Sequence, residues 1–170
     1  MDALENLLTR KSVRKFSEEK VSEEDINTIL KAAMASPSAM NSQPWTFYIV
    51  TSKDKLQAYI DSSRWGKYNA QLIIVPCVKE DATLPGAGHD LAYCDLGAAT
   101  ENILLAAHAL GLGAVWTAVY PDPVRIEAAK KAIDIKNGET PYSAIYIGHP
   151  AKDDDSQVKD KYNPNNIRRV

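Results

Sequence analysis

The residues that most often announce chemistry are scarce in this sequence. It holds two cysteines and three histidines in 170 residues. Cys77 and Cys94 show no C-x-x-C spacing, so they suggest neither a disulfide framework nor a zinc site and fit a reducing, cytoplasmic setting. His89, His108 and His149 lie far apart with no metal-ligand spacing, so no metal is expected and each reads as a structural or surface histidine. No apolar run approaches the roughly 20 residues of a membrane span, and MDALENLL is too short and too acidic for a secretory leader. A G-x-S-x-G elbow, a P-loop and a strand-linked G-x-G-x-x-G are all missing, which removes the usual hydrolase and nucleotide fingerprints. Positive charge is not in surplus either. The formal net charge of -2 argues against a general nucleic-acid or membrane-surface binder.

What is present is an ordinary globular composition, 45% hydrophobic and 25% charged, which is enough to bury a core without staples. No repeat or composition break divides the chain, so residues 1–150 read as one domain. From Ala151 onward the chain is charged and Asn-rich, a C-terminal arm with little to pack internally.

Periodicity predicts a short helix over residues 2–9 behind an Asp2 cap. A second helix begins at Ser22, with Asp25 three residues on, and ends near Ser36-Pro37. WTFYIVT and LIIVPCV read as strands, the second weakened by Pro76 or placed by it at a sheet edge. A helix from Ser52 to about Ile60 lies between them. EDATLPGAGHD is a loop by composition. The longest helix runs from Leu91 to Leu110, closed by Gly111, with alanines and Gly97 that let another helix approach. GAVWTAVYP, DPVRIEAAKKAI and YSAIYIGHP then predict strand, helix and strand. This order predicts a layered α/β or α+β domain with helices on both sheet faces, and leaves strand direction open.

Two stretches invite chemistry. RKSVRKF, Arg10 to Phe16, crowds four cations around one hydroxyl. Arginine offers a planar fork for phosphate oxygens and lysine a mobile point charge. The residues alone leave two readings, an anion grip or a solvated patch. SPSAMNSQPW, from Ser36, offers Asn41 and Gln43 among small residues that let a planar ligand approach the backbone; an ordinary turn is the alternative. With no visible acid, base or nucleophile, a bound cofactor carrying the chemistry fits both stretches.

These motifs, in this order and followed by DLGAATENILLAAHALGLGAVW from Asp95 to Trp116, resemble those of the FMN-dependent nitroreductases. The similarity covers almost the whole chain and is weaker over residues 61–90 and the tail. It implies an α+β fold, a three-layer α/β/α sandwich with a central, mostly antiparallel sheet. It also implies a homodimer holding FMN at the interface, with the arm, 151–170, wrapping the partner subunit. Arg10, Ser12 and Arg14 would grip the FMN phosphate and ribityl chain, with Lys11 directed to the flavin edge and Lys15 facing water. Pro37, Ser38, Ala39, Met40 and Asn41 of the partner subunit would line the ring, and Gln43 would add a polar contact. Trp116, Thr117, Ala118 and Val119 would lie behind the ring with a backbone amide near N5. Lys159 and Lys161 would return to the phosphate. NADH or NADPH would reduce the flavin, which would then reduce a nitroaromatic or quinone acceptor by a ping-pong scheme. No catalytic side chain is then needed.

Departures from the family pattern set the competing expectation. The lid between the second strand and the long helix is short, and only Lys67 and Asn69 stand near the positions of a flavin-contacting lysine and asparagine. An FMN storage or sensing protein with little turnover is the alternative reading. A reductive dehalogenase or flavin-fragmenting relative has no positive sign in the sequence.

Overall fold

The computed structural model describes residues 1–64 and 66–170. Asp2 caps helix α1 (Ala3–Thr9) by accepting from the Glu5 N–H at 2.9 Å. Ser22 caps α2 (Glu23–Met34) in the same way through the Asp25 N–H, and its own hydroxyl donates to the Asp25 carboxylate. Strand β1 (Trp45–Val50), helix α3 (Lys53–Ser62) and strand β2 (Leu72–Lys79) follow. Helix α4 (Leu91–Ala109), strand β3 (Gly113–Ala118), helix α5 (Pro123–Ile133) and strands β4 (Glu139–Pro141) and β5 (Ser143–Gly148) complete the core.

The sheet runs β1-β2-β5-β3, with β4 also on β2, and every pairing of these strands is antiparallel. Alternation assigns its two faces. Leu72 and Ile74 of β2, with Ile145 and Ile147 of β5, pack under α2 and α4 against Ile29, Ala33, Ile103 and Ala107. Ile73, Val75 and Cys77, with Ala144 and Tyr146, face α3 and α5 through Tyr59, Ala129 and Ile133. The three-layer sandwich therefore follows from strands apolar on both faces. Each fully buried isoleucine contributes about 1.5–3 kcal/mol.

Pro76 lies in an interior strand, not at an edge. Its carbonyl accepts from Tyr142 N–H at 2.9 Å, in the interruption between β4 and β5, so its backbone polar groups point at that seam. The missing N–H falls where the ladder is already broken. Strand β4 itself escapes sequence reasoning because its three residues, Glu-Thr-Pro, follow an Asn-Gly turn signal. Among the described residues of this chain, the nearest atom to a Cβ built at Gly97 is the Tyr142 hydroxyl, at 3.3 Å.

The basic segment is built onto the β3 edge. Ser12 pairs with Ala114 in a parallel bridge, the Val13 N–H donates to the Ala114 carbonyl at 3.0 Å, and Phe16 bridges Pro150. Val13 and Phe16 are both buried in the α3/α5 side of the core. Two glycines make this possible. A Cβ at Gly113 would lie 2.6 Å from Val13, and one at Gly148 would lie 3.1 Å from Phe16. The Asn69 carboxamide braces the end of the segment, donating to the Phe16 carbonyl at 2.8 Å and accepting from its N–H at 3.3 Å.

The short loop between β2 and α4 is also pinned. Glu80 accepts from Thr140 Oγ1 at 2.7 Å and lies 2.9 Å from His89 Nε2, while His89 Nδ1 is 3.5 Å from Asp90. Hydrogen bonds to Glu80 and Asp90 push the His89 pKa up against a small burial effect. Burial opposes the Glu80 charge, yet the hydrogen bonds from His89 and Thr140 hold its carboxyl below the usual range. Beyond this pair, the His89 ring meets the edge of Tyr93, which stacks on Tyr120 at 3.8 Å.

Two outcomes follow. Gly113→Ala should lower stability to chemical denaturation by about 1–3 kcal/mol through overpacking. Gly97→Ala should cost less, because it meets one hydroxyl and gains helix propensity. For the loop, a raised His89 pKa stabilises the pair fully below its unfolded value, and that contribution is lost as pH rises through the folded value. The lowered Glu80 pKa contributes above its unfolded value and is lost as pH falls. Amide protection across residues 80–90, corrected for intrinsic exchange, should therefore peak between about pH 5 and 6.5 and fall above it. His89→Gln should flatten the alkaline side of that profile.

Candidate functional site

The C-terminal end of α1, the basic segment and the arm together enclose a cavity of about 780 Å³. Its lining brings Arg10, Lys11, Ser12 and Arg14 together with Lys159 and Lys161, which lie about 150 residues away in sequence. Five cations and one acid, Asp160, therefore share one concavity, with Leu7, Leu8, Val158 and Tyr162 as its apolar and aromatic part. The size suits a small-molecule site. The donor set suits a phosphate monoester: forked guanidinium groups, mobile ammonium groups and a hydroxyl, with one opposing carboxylate.

The four cations of RKSVRKF divide in a way the sequence did not reveal. Arg10, 19% exposed at its side chain, gives Nε to Glu101 of α4 at 3.1 Å. That pair anchors one edge of the guanidinium and leaves its terminal nitrogens uncommitted to Glu101. Arg14 is the looser group, with a 3.4 Å contact from Nη1 to the Ser12 carbonyl. Lys11 does not project freely, because its Nζ donates to the Ser156 carbonyl of the arm at 2.6 Å. Lys15, expected to face water, is half-exposed and lies 3.5 and 3.7 Å from Asp153 and Asp155. The arm expected to pack little thus docks on two lysines of the segment it faces.

His108 belongs to the same neighbourhood. Thr9 Oγ1 donates to the Glu5 carbonyl, so its 2.9 Å contact with His108 Nε2 is accepted from the ring N–H. Burial, then the charges of Arg10 and Lys11, pull the His108 pKa down. The neutral ring ties α1 to α4 beside the cations.

The SPSAMNSQPW loop lies elsewhere, at the N-terminal half of α4, and no residue of it lines the cavity. A 3-10 turn spans Ala39–Asn41, and Met40, Asn41 and Gln43 adopt φ of 52°, 55° and 48°. For Met40 and Gln43 this left-handed conformation costs free energy and must be held by its surroundings. Asp95 does so, its carboxylate accepting from the Ala39 N–H at 3.1 and 3.2 Å. Ser38 Oγ accepts from the Gln43 N–H at 3.0 Å, and Gln43 Nε2 donates to Asn41 Oδ1 at 3.3 Å. Pro37 precedes this turn, and Asn102 of α4 ties Ser36 beside it through a 2.8 Å bond. The Met40 side chain is left 87% exposed.

Trp116, Thr117, Ala118 and Val119 span the end of β3 and divide between two faces. Thr117, Ala118 and Val119 line a second, smaller cavity of about 280 Å³ with Tyr59, Ser63 and Arg125. Arg125 closes on the segment by donating to the Ala118 carbonyl at 3.1 Å. Trp116 lies on the opposite side, its ring 5.9 Å from that of Tyr142. The Val119 N–H is committed to the Tyr142 carbonyl at 3.2 Å, so it is not a free donor. Of the two loose candidates, Asn69 is engaged with the Phe16 backbone and Lys67 is exposed.

Asp95, Glu101, Asp154 and Ser156 all hold the site's parts, and sequence reasoning missed each of them. Asp95 and Glu101 sit six apart on one helical motif, which was the only signal available.

The model of the nitroreductase family matches residues 7–68 and 63–149. A protein of Archaeoglobus fulgidus, provisionally named an NADH dehydrogenase/NAD(P)H nitroreductase, is 39% identical over 99% of this chain and 97% of its own. A solved structure from Bacteroides thetaiotaomicron with the same provisional name is 35% identical, covers 98% of this chain and 96% of that one, and superposes with a TM-score of 0.89. A provisionally named nitroreductase from Desulfovibrio desulfuricans, solved in complex with FMN, is 29% identical over 95% of this chain and 94% of that one, with a TM-score of 0.78. Matched from the basic segment through the last strand of the sheet, the chain belongs to the nitroreductase family of oxidoreductases.

Proposed function

We propose that this protein is an FMN-dependent oxidoreductase that takes electrons from NADH or NADPH and passes them to nitroaromatic or quinone-type acceptors by a ping-pong scheme. The observation that carries the reading is the cavity in which Arg10, Lys11, Ser12 and Arg14 face Lys159 and Lys161, in a chain of this family. Arg10, Ser12 and Arg14 bind the cofactor phosphate, with Lys159 and Lys161 approaching from the arm. Charge-assisted hydrogen bonds contribute roughly 1.5–3 kcal/mol each, so two or three support micromolar affinity or better. FMN, when bound, supplies the two-electron chemistry that no side chain of the chain offers. The protein's part is to hold the phosphate, orient the ring and shape the opening for donor and acceptor.

The cofactor is proposed to lie between two copies of the chain. Helix α1 has no buried residue, and Leu4, Leu7 and Leu8 are all exposed along it. Such a face in a folded domain marks an interaction surface. In the homodimer, the turn of Pro37, Ser38, Ala39, Met40 and Asn41, with Gln43, lines the partner's cofactor, a reading supported by their absence from the lining of this chain's own cavity. Trp116, Thr117, Ala118 and Val119 flank the ring, and the apolar Ile167 and Val170 beyond the cavity reach the partner. Among the described residues no helix is long and apolar enough to cross a membrane. An exposed free Cys94 fits the cytoplasm.

The purified protein should show flavin absorbance bands near about 370 and 450 nm. It should oxidise NADH or NADPH in the presence of a quinone or nitroaromatic acceptor. Arg10→Ala and Arg14→Ala should weaken FMN binding about tenfold or more, and Lys15→Ala less. A colourless protein that refuses added FMN would sink the assignment. Flavin binding without reduction by either nucleotide would make it a flavin carrier, and equal losses for all three variants would replace the grip with a diffuse field.

A further inference from the structure

The arm carries an acidic run, Asp153 to Asp155, immediately before the residues that line the anion cavity. Acids beside a site for an anion work against binding unless they do something else. Their contacts show what that is. Asp154 is only 6% exposed at its side chain, and its Oδ2 lies 4.0 Å from Lys11 Nζ. Its Oδ1 accepts from the Ser156 hydroxyl at 2.7 Å, and its N–H donates to the Ala151 carbonyl at 3.0 Å. Ala151 N–H in turn donates to the Lys15 carbonyl at 3.0 Å, and Lys11 Nζ reaches the Ser156 carbonyl at 2.6 Å. A nearly buried carboxylate is thus held by a local hydroxyl and faces one ammonium. The two outer acids meet Lys15 in solvent-exposed pairs, which salt screens readily.

We infer that Lys11 and Asp154 anchor a strap, residues 151–162, that forms the far wall of the anion cavity and places Lys159 and Lys161 over it. The inference rests on the proposed FMN site for its functional consequence, but the strap itself does not require the cofactor. Lys11 is then a positioning residue. Its ammonium is committed to the arm and acts on the ligand through the two lysines that the arm carries. Asp154, an acid that would repel a phosphate, favours binding because it seats the strap. Lys15 with Asp153 and Asp155 forms an outer, salt-sensitive closure of the same strap.

A double-mutant cycle separates the strap from direct contact. Lys11→Met, Asp154→Asn and the combination are made in the full-length chain and compared for FMN dissociation constant, thermal midpoint and tryptic cleavage of the arm. The strap predicts that each single change weakens FMN binding about tenfold and that the double change is no worse than either, because both remove one anchor. Cleavage at Lys152, Lys159 and Lys161 should accelerate in all three variants, with or without flavin, while the thermal midpoint of the core stays near that of the parent. Asp154→Glu should recover the parent's cleavage rate in part. Losses that multiply in the double variant, or a loss for Lys11→Met with none for Asp154→Asn, would overturn the inference and make Lys11 a direct ligand contact. Unchanged cleavage would overturn it as well. If the parent binds no FMN at all, the proposed function fails, and the cleavage pattern still decides whether the strap exists.

Discussion

The site depends on one piece of packing: Val13 and Phe16 seated in the core against two strand positions that carry no side chain, Gly113 and Gly148. A seven-residue stretch with four positive charges would ordinarily spread into solvent. Here Val13 and Phe16, three residues apart, are pulled into the core and the backbone is hydrogen-bonded to β3 at Ala114, which fixes where the flanking cationic side chains project. Asn69 fixes the end of the stretch through both polar groups of the Phe16 backbone. Convergence of the cations is thus a consequence of apolar burial, and their mutual repulsion is offset locally by Glu101 and by the acids of the arm.

The same economy explains a site without catalytic side chains. The chain places donors for an anion at one end of β3 and a short, strained turn at the N-terminal half of α4. Asp95 maintains the left-handed backbone of that turn, and a nearly buried carboxylate accepting a backbone N–H is a firmer tether than any surface ion pair. Helix α4 therefore serves both regions: Asp95 holds the turn and Glu101 orients Arg10.

The layers and most elements were legible in the sequence because the strands and helices obey their periods and their caps are strong. Asp2 and Ser22 cap as expected, Pro123 stands in the first turn of its helix, and the two-sided apolar strands Leu72–Lys79 and Ser143–Gly148 require helices on both faces. The exceptions have local causes. Pro76 reads as a weak point in its strand or an edge signal, yet it occupies an interruption between two partner strands, which only the register reveals. Within the basic segment, residue type pointed to an anion site, but the division of roles did not follow from it. Lys11 and Lys15 are chemically alike, and their different fates depend on Asp153, Asp154 and Asp155, more than 130 residues further on. Asn69 stood near a position associated with ligand contact and turned out to brace backbone, a distinction that spacing alone does not make.

The central claim is that this cavity recognises a phosphate group, with the cofactor's ring held by other parts of the site. Titration of the purified, flavin-free protein with FMN and with riboflavin, which differ by that group alone, tests it most directly. The account predicts that FMN binds at least about a hundredfold more tightly than riboflavin at moderate ionic strength, and that added salt narrows the gap. Equal affinity for the two flavins would contradict it.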